Sequence, residues 1–143
     1  MRSIKIFTFI LTVVLAVGCR QKKAEQFVAL PFPDITLPGM LTSSEDAAEY
    51  LAEHFWDGLT DPSREFPSDS LLVSGVSKDD IERKFANWIS VLDMTGLRIA
   101  EKSVARIYDR ALACEKKDSS SNVFETIVEL SEKYLYDPNS PLR

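Results

Sequence analysis

Histidine and cysteine are nearly missing from this sequence: His54 is the one imidazole, and Cys19 and Cys114 are the two thiols, among 143 residues. Protein-held metals need several N or S ligands at defined spacing, and no C-x-x-C, H-E-x-x-H or comparable pattern occurs. No metal ligands are therefore assigned. His54 stands beside Phe55 and Trp56 and reads as a polar neighbour of aromatic core residues rather than as a catalytic base. Five scattered glycines form no loop that could cradle a phosphate, and no G-x-S-x-G elbow is present. These absences leave no catalytic and no cofactor-binding residue to name, and the expectation is a protein that is not an enzyme. The chain also lacks a long hydrophobic run. Its most apolar stretch, Ile6 to Val17, has twelve residues, against the roughly 20 that a membrane-crossing helix needs.

That short stretch follows Arg2 and Lys5 and ends in the small residue Gly18 before Cys19, which is the layout of a secretion signal. Ala16-Val17-Gly18-Cys19 resembles a lipobox, with Leu15 a step further back. The resemblance implies that residues 1–18 are cleaved and that the Cys19 thiol carries a diacylglyceryl group at the new N-terminus. Two or more acyl chains make a stable anchor, because each buried CH2 contributes about 0.8 kcal/mol. The expected partner at this end is a membrane, with the rest of the chain facing the periplasm. Cleavage would remove two of 17 basic residues and none of 22 acidic ones, shifting the net charge from −5 to −7. So acidic a chain is a poor nucleic-acid ligand. With Cys19 acylated, Cys114 has no partner for an internal disulfide. It shares a helical face with Leu97, Ala100, Val104, Ile107 and Ala111 and reads as an inert core thiol.

Residues 19–39 contain Pro31, Pro33 and Pro38 and no sustained period, so an extended tether is expected, able to reach about 65 Å when fully stretched. Leu30, Phe32, Ile35 and Leu37 could instead lie along the domain. The helical domain is expected over residues 40–143. Capping hydroxyls at Thr42, Ser43 and Ser44 precede Glu45 and Asp46, and Ala48, Leu51, Ala52, Phe55 and Leu59 recur at three and four residues, predicting a first helix from about Ser44 to Leu59. Residues 60–76 form a long connection in which Phe66 and Leu71-Leu72-Val73 favour packing. Ser77 opens a second helix with Ile81, Phe85, Trp88, Ile89 and Leu92 inward, expected to close at Gly96. A third runs from Leu97 to about Lys117. A fourth, from about Asn122 to Tyr136, has Asn122 as its cap and ends at Asp137-Pro138. No alternating strand pattern competes, so the class is all-α: a small antiparallel bundle of about four helices behind a signal peptide and tether.

Two charge stripes stand out. Glu45, Glu49, Glu53 and Asp57 lie four apart on the first helix, and Arg98, Lys102, Arg106 and Arg110 lie four apart on the third. Each stripe repels itself slightly. The basic stripe could be an interaction surface for an anionic partner, the two stripes could face each other, or both could be solvated faces of little energetic weight. The aromatic set of Phe55, Trp56, Phe85, Trp88, Phe124, Tyr134 and Tyr136 fits a core better than a pocket.

The strings Leu37-Pro38-Gly39-Met40-Leu41-Thr42, Ala48-Glu49-Tyr50-Leu51-Ala52-Glu53-His54-Phe55-Trp56-Asp57 and Glu132-Lys133-Tyr134-Leu135-Tyr136-Asp137-Pro138-Asn139-Ser140-Pro141-Leu142-Arg143 resemble the uncharacterised helical domain that precedes a thioredoxin-like domain in thiol:disulfide oxidoreductase-like bacterial lipoproteins. The likeness covers about residues 30–143. In such proteins the reactive cysteine pair belongs to the later domain, so no catalytic residue transfers here. Relatives continue beyond the position of Arg143, which makes this chain a shortened relative in expectation, with an apolar face that a homodimer or a protein partner could cover. Three readings follow: a non-enzymatic lipid-anchored binding module, an accessory or truncated part of a thioredoxin-like oxidoreductase, and a fragment without activity.

Overall fold

The computed structural model describes residues 28–66 and 70–136. The signal sequence, Cys19, Pro67 and the Asp137-Pro138 helix stop lie outside the described residues. Four α-helices make the body, joined by one small hairpin: α1 (Ser44–His54), β1 (Leu72–Val73), β2 (Val76–Ser77), α2 (Lys78–Leu92), α3 (Leu97–Lys117) and α4 (Val123–Ser131). α4 runs on into a single π-helical turn, Glu132–Tyr136. The fold is thus mostly helical. Among the described residues, no helix is long and apolar enough to cross a membrane.

Serines start the first two helices. Ser43 Oγ accepts from the amide of Asp46, and Ser77 Oγ from that of Asp80, each satisfying one amide that the first turn leaves unpaired. Gly96 does not close α2, as the sequence suggests. It is the extended N-cap of α3, with φ −70° and ψ 151°, and its carbonyl accepts from Ile99 and Ala100. α2 ends at Asp93, whose amide returns to Ile89. Asn122 is the N-cap residue of α4, as expected, and its carbonyl accepts from Thr126 N; its side chain makes no cap bond, and its amide donates to Leu72 O at 2.8 Å, tying the start of α4 to the hairpin.

α1 ends at His54, sooner than its apolar spacing predicts, and the chain continues in turns over residues 55–60. Glycine at 58, a weak helix former, lets Pro33 pack against this stretch, since a Cβ there would lie 2.6 Å from Pro33 Cβ. Where α1 opens, Trp88 Nε1 donates to Ala52 O at 2.9 Å. Residues 28–39 are extended and non-helical, as expected of a tether, yet they are held to the body. Leu30 N donates to Gly75 O, and Phe32 is buried, its ring 5.4 Å from Trp56 edge-on and 5.7 Å from Phe55.

Phe32 joins a cluster of rings, Trp56, Phe85, Trp88 and Tyr134, with the centroids of touching rings 5.4–5.9 Å apart and Tyr134 against Phe85. All five inward residues expected of α2 are buried. On α3 the inner face is rotated from the expected one. Ile99, Ser103, Ile107 and Ala111 are buried, Ala100 and Val104 are half-buried, and Leu97 is 76% exposed. The rotation reflects two neighbours: α3 packs on α1 with one flank and on α4 with another.

Among the described residues, the hairpin is the one element outside the all-helical expectation. Val73 pairs with Val76, and the two residues between them have positive φ, 49° at Ser74 and 82° at Gly75, as a two-residue I′ hairpin turn requires.

Candidate functional site

The two charge stripes meet. α1 and α3 run parallel, with Glu53 against Lys102 and Asp57 against Arg106, so residues 49 apart in sequence are neighbours. Lys102 Nζ lies 2.9 Å from both Glu53 oxygens; Arg106 Nη2 reaches both oxygens of Asp57 at 2.9 and 3.0 Å, and Arg110 Nε lies 3.2 Å from Asp57. Arg110 also donates to Thr60 Oγ1 and to the carbonyl of Asp57. Of the basic stripe Arg98, Lys102, Arg106 and Arg110, three side chains are therefore turned to partners within the chain. Arg98 makes no ion pair among the described residues and is exposed.

Asp57 is the hub of this seam. Burial alone would raise the pKa of its carboxyl, but the hydrogen bonds from His54 and Arg106 and the charges of Arg110 and Arg106 hold it below the ordinary value. His54 is at the edge of the same network, with Nδ1 2.8 Å from Asp57 and its ring stacked 4.4 Å from that of Tyr50.

Beyond the seam, a cleft of about 630 Å³ opens between the 59–66 loop, the hairpin turn and the last turns of α3. That size suits a small organic ligand. Its floor is apolar, with Leu59, Phe66, Ala113 and Val123. Arg64 crosses one wall: Nε and Nη2 donate to Ser74 O at 3.2 and 3.1 Å, and the guanidinium lies 4.7 Å above the Phe66 ring. Burial pulls its pKa down, against the charge of Asp61, yet a guanidinium stays protonated in proteins. Lys117, at the end of α3, donates to Pro62 O. Neither cation forms an ion pair among the described residues.

Three acids also line the cleft: Asp61, Glu65 and Asp118. Two are folded back on their own turns. Asp61 Oδ1 accepts from Ser63 N and Oγ at 2.7 and 2.6 Å, and Asp118 Oδ1 from Ser120 N and Oγ at 2.9 and 2.7 Å; these bonds lower both pKa values. Cys114 forms part of the wall, half-buried, with Sγ 3.9 Å from Thr60 O. Burial pushes its thiol up, and the nearby charges of Arg110 and Lys117 only partly oppose this, the reverse of what an activated thiolate needs. Among the described residues, no three His, Cys, Asp or Glu are grouped to hold a metal.

Arg64 and Lys117 escaped the sequence reading. The cues were there. Arg64 lies in the long 60–76 connection next to Phe66, and Lys117 follows Arg110 by seven residues, which returns it to the same helical face.

Residues 16–143 match a protein family described as "Domain of unknown function (DUF5106)". Among solved structures, the chain is similar to a thioredoxin-like protein from Bacteroides caccae ATCC 43185, with 27% identity and a TM-score of 0.57. The match covers 81% of this chain and 37% of that one, so the chain spans well under half the length of this relative. No curated protein matches the sequence.

Proposed function

The chain belongs to the DUF5106 family, a domain of unknown function, and from that premise we propose that it is a non-enzymatic binding module, anchored to a membrane by lipid on Cys19 and facing the periplasm. The observation that carries this reading is the cleft: an apolar floor under a polar rim, built on helix ends and a tight hairpin. Three of its titratable groups are shifted away from neutral proton transfer. The Asp61 and Asp118 carboxyls are lowered and the Cys114 thiol is raised, whereas a general acid or base works best with a pKa near the operating pH.

A second reading has its own support. The similar structure is a thioredoxin-like protein of which this chain matches only a part, which fits an accessory or shortened component of a thiol:disulfide oxidoreductase. Insulin reduction by dithiothreitol separates the two. The binding-module reading expects the full chain and its Cys114→Ser variant to give the same rate; a rate that depends on Cys114 would replace it with the redox reading. The anchor is tested by cell fractionation. The native chain is expected with membranes and Cys19→Ser in the soluble fraction, and a native chain recovered soluble with an unmodified Cys19 removes the anchor from the proposal.

A further inference from the structure

We propose that the cleft between the 59–66 loop and the end of α3 binds a small organic anion, with Arg64 and Lys117 holding the charged head over an apolar floor. This rests on the binding-module reading and names its ligand class. The two cations line the same cleft, and neither forms an ion pair among the described residues. Their present bonds are to neutral oxygens, Ser74 O for Arg64 and Pro62 O for Lys117. A guanidinium has five N–H donors and an ammonium three, so both retain donors for an incoming oxyanion.

The acids on the rim act on the same cations, Asp61 on Arg64 and Asp118 on Lys117, without closing an ion pair with either. Asp61 and Asp118 aim an oxygen at Ser63 and Ser120 within their own turns, and Glu65 is exposed. Cys114 reports the field inside: the charges acting on its thiol are those of Arg110 and Lys117, both positive. Arg110 is already engaged by Asp57 and Thr60, which leaves Arg64 and Lys117 as the groups that would answer a ligand. The floor of Leu59, Phe66 and Val123 sets the rest of the molecule as apolar.

Cys114 makes the test direct. In the full chain carrying Cys19→Ser it is the one remaining thiol, and iodoacetate and iodoacetamide differ chiefly in that the first brings a carboxylate. Both alkylate the same thiolate, displacing iodide and forming the same S–C bond, so the thiol pKa cancels from the ratio of their rates. The ratio of iodoacetate to iodoacetamide is expected to exceed that of glutathione by about threefold or more, a gain on the order of 0.7 kcal/mol, and to fall back in Arg64→Gln and in Lys117→Gln. A ratio at or below that of glutathione, with iodoacetamide still reacting, overturns the anion preference and leaves a neutral-ligand cleft standing. Silence of Cys114 toward both reagents in the folded chain means a closed cleft and overturns the binding-module reading with it. Given a raised ratio, protection by benzoate or by phenyl phosphate identifies the head as carboxylate or phosphate ester.

Discussion

A methyl group added at Gly75 would lie 2.9 Å from the Phe66 ring, at a φ of +82° that L side chains rarely adopt. Phe66 cannot withdraw freely, since Arg64 rests on its ring and is itself bonded to Ser74 in the same turn. Gly75→Ala is therefore expected to lower stability by about 1–3 kcal/mol, read as an earlier midpoint in urea. The same substitution at Gly96, where a Cβ meets nothing within 4 Å and φ is −70°, should change it far less. A Gly96→Ala loss equal to that at Gly75 would mean that the turn is not what makes glycine necessary. The turn was legible at this scale. Ser74-Gly75 between Leu72-Val73 and Val76 carries the hairpin signal, but strands of two residues offer no run of alternation to detect.

At the scale of elements, local chemistry fixed what neighbours did not touch. The serine before α1, the inner face of α2 and the full span of α3 follow from capping hydroxyls and 3.6-residue spacing, and all are as expected from the sequence. The failures are places where another segment decides. Pro33 packs against Gly58 just past the end of α1, the Asn122 side chain serves the Leu72 carbonyl rather than the helix it precedes, and the exposure of Leu97 follows the way α3 divides its surface between α1 and α4. The pairing of the stripes was one of three open readings, because sequence gives periodicity on each helix and not the side that faces another. The extended segment before α1 carries the sharpest test. Phe32 is 6% exposed and touches the Phe55 and Trp56 rings, so Phe32→Ala should cost about 3 kcal/mol in equilibrium unfolding. A plain tether would lose almost nothing. Ser43→Ala, which removes only the α1 cap bond to Asp46, should cost about 1 kcal/mol.

Across the whole molecule, the ionisable groups that folding shifts favour a broad plateau of stability near neutrality. Of the carboxyls that folding shifts, two take part in contacts between distant segments: Asp57 joins the turn after α1 to α3, and Glu82 joins α2 to Lys133 and Tyr134 of the π-helical turn. Asp57 is lowered by its bonds to His54 and Arg106 and by the arginine charges, which together overcome burial; Glu82 is lowered chiefly by its bond to Lys133. A carboxyl lowered on folding binds its proton more readily in the unfolded chain. Its contribution is present above the unfolded values of 3.8 and 4.5 and is lost as pH falls through the lower folded ones. Lys133 and Tyr134 are raised, the first by its bond to Glu82 and the second by burial and then Glu82. Their contribution is present below 10.5 and 10.0 and is lost as pH rises through the higher folded values. Urea midpoints should thus be flat from about pH 5 to pH 9 and fall on either side. In Asp57→Asn the plateau should be lower, because Arg106 and Arg110 lose their shared carboxylate, and the acid limb shallower, because one group no longer gains a proton on unfolding. Glu82→Gln should flatten both limbs, since the shift of Lys133 depends chiefly, and that of Tyr134 in part, on the same carboxylate. An acid limb as steep in the double variant as in the native chain would show that other groups govern the transition, and that neither contact between segments carries the pH response.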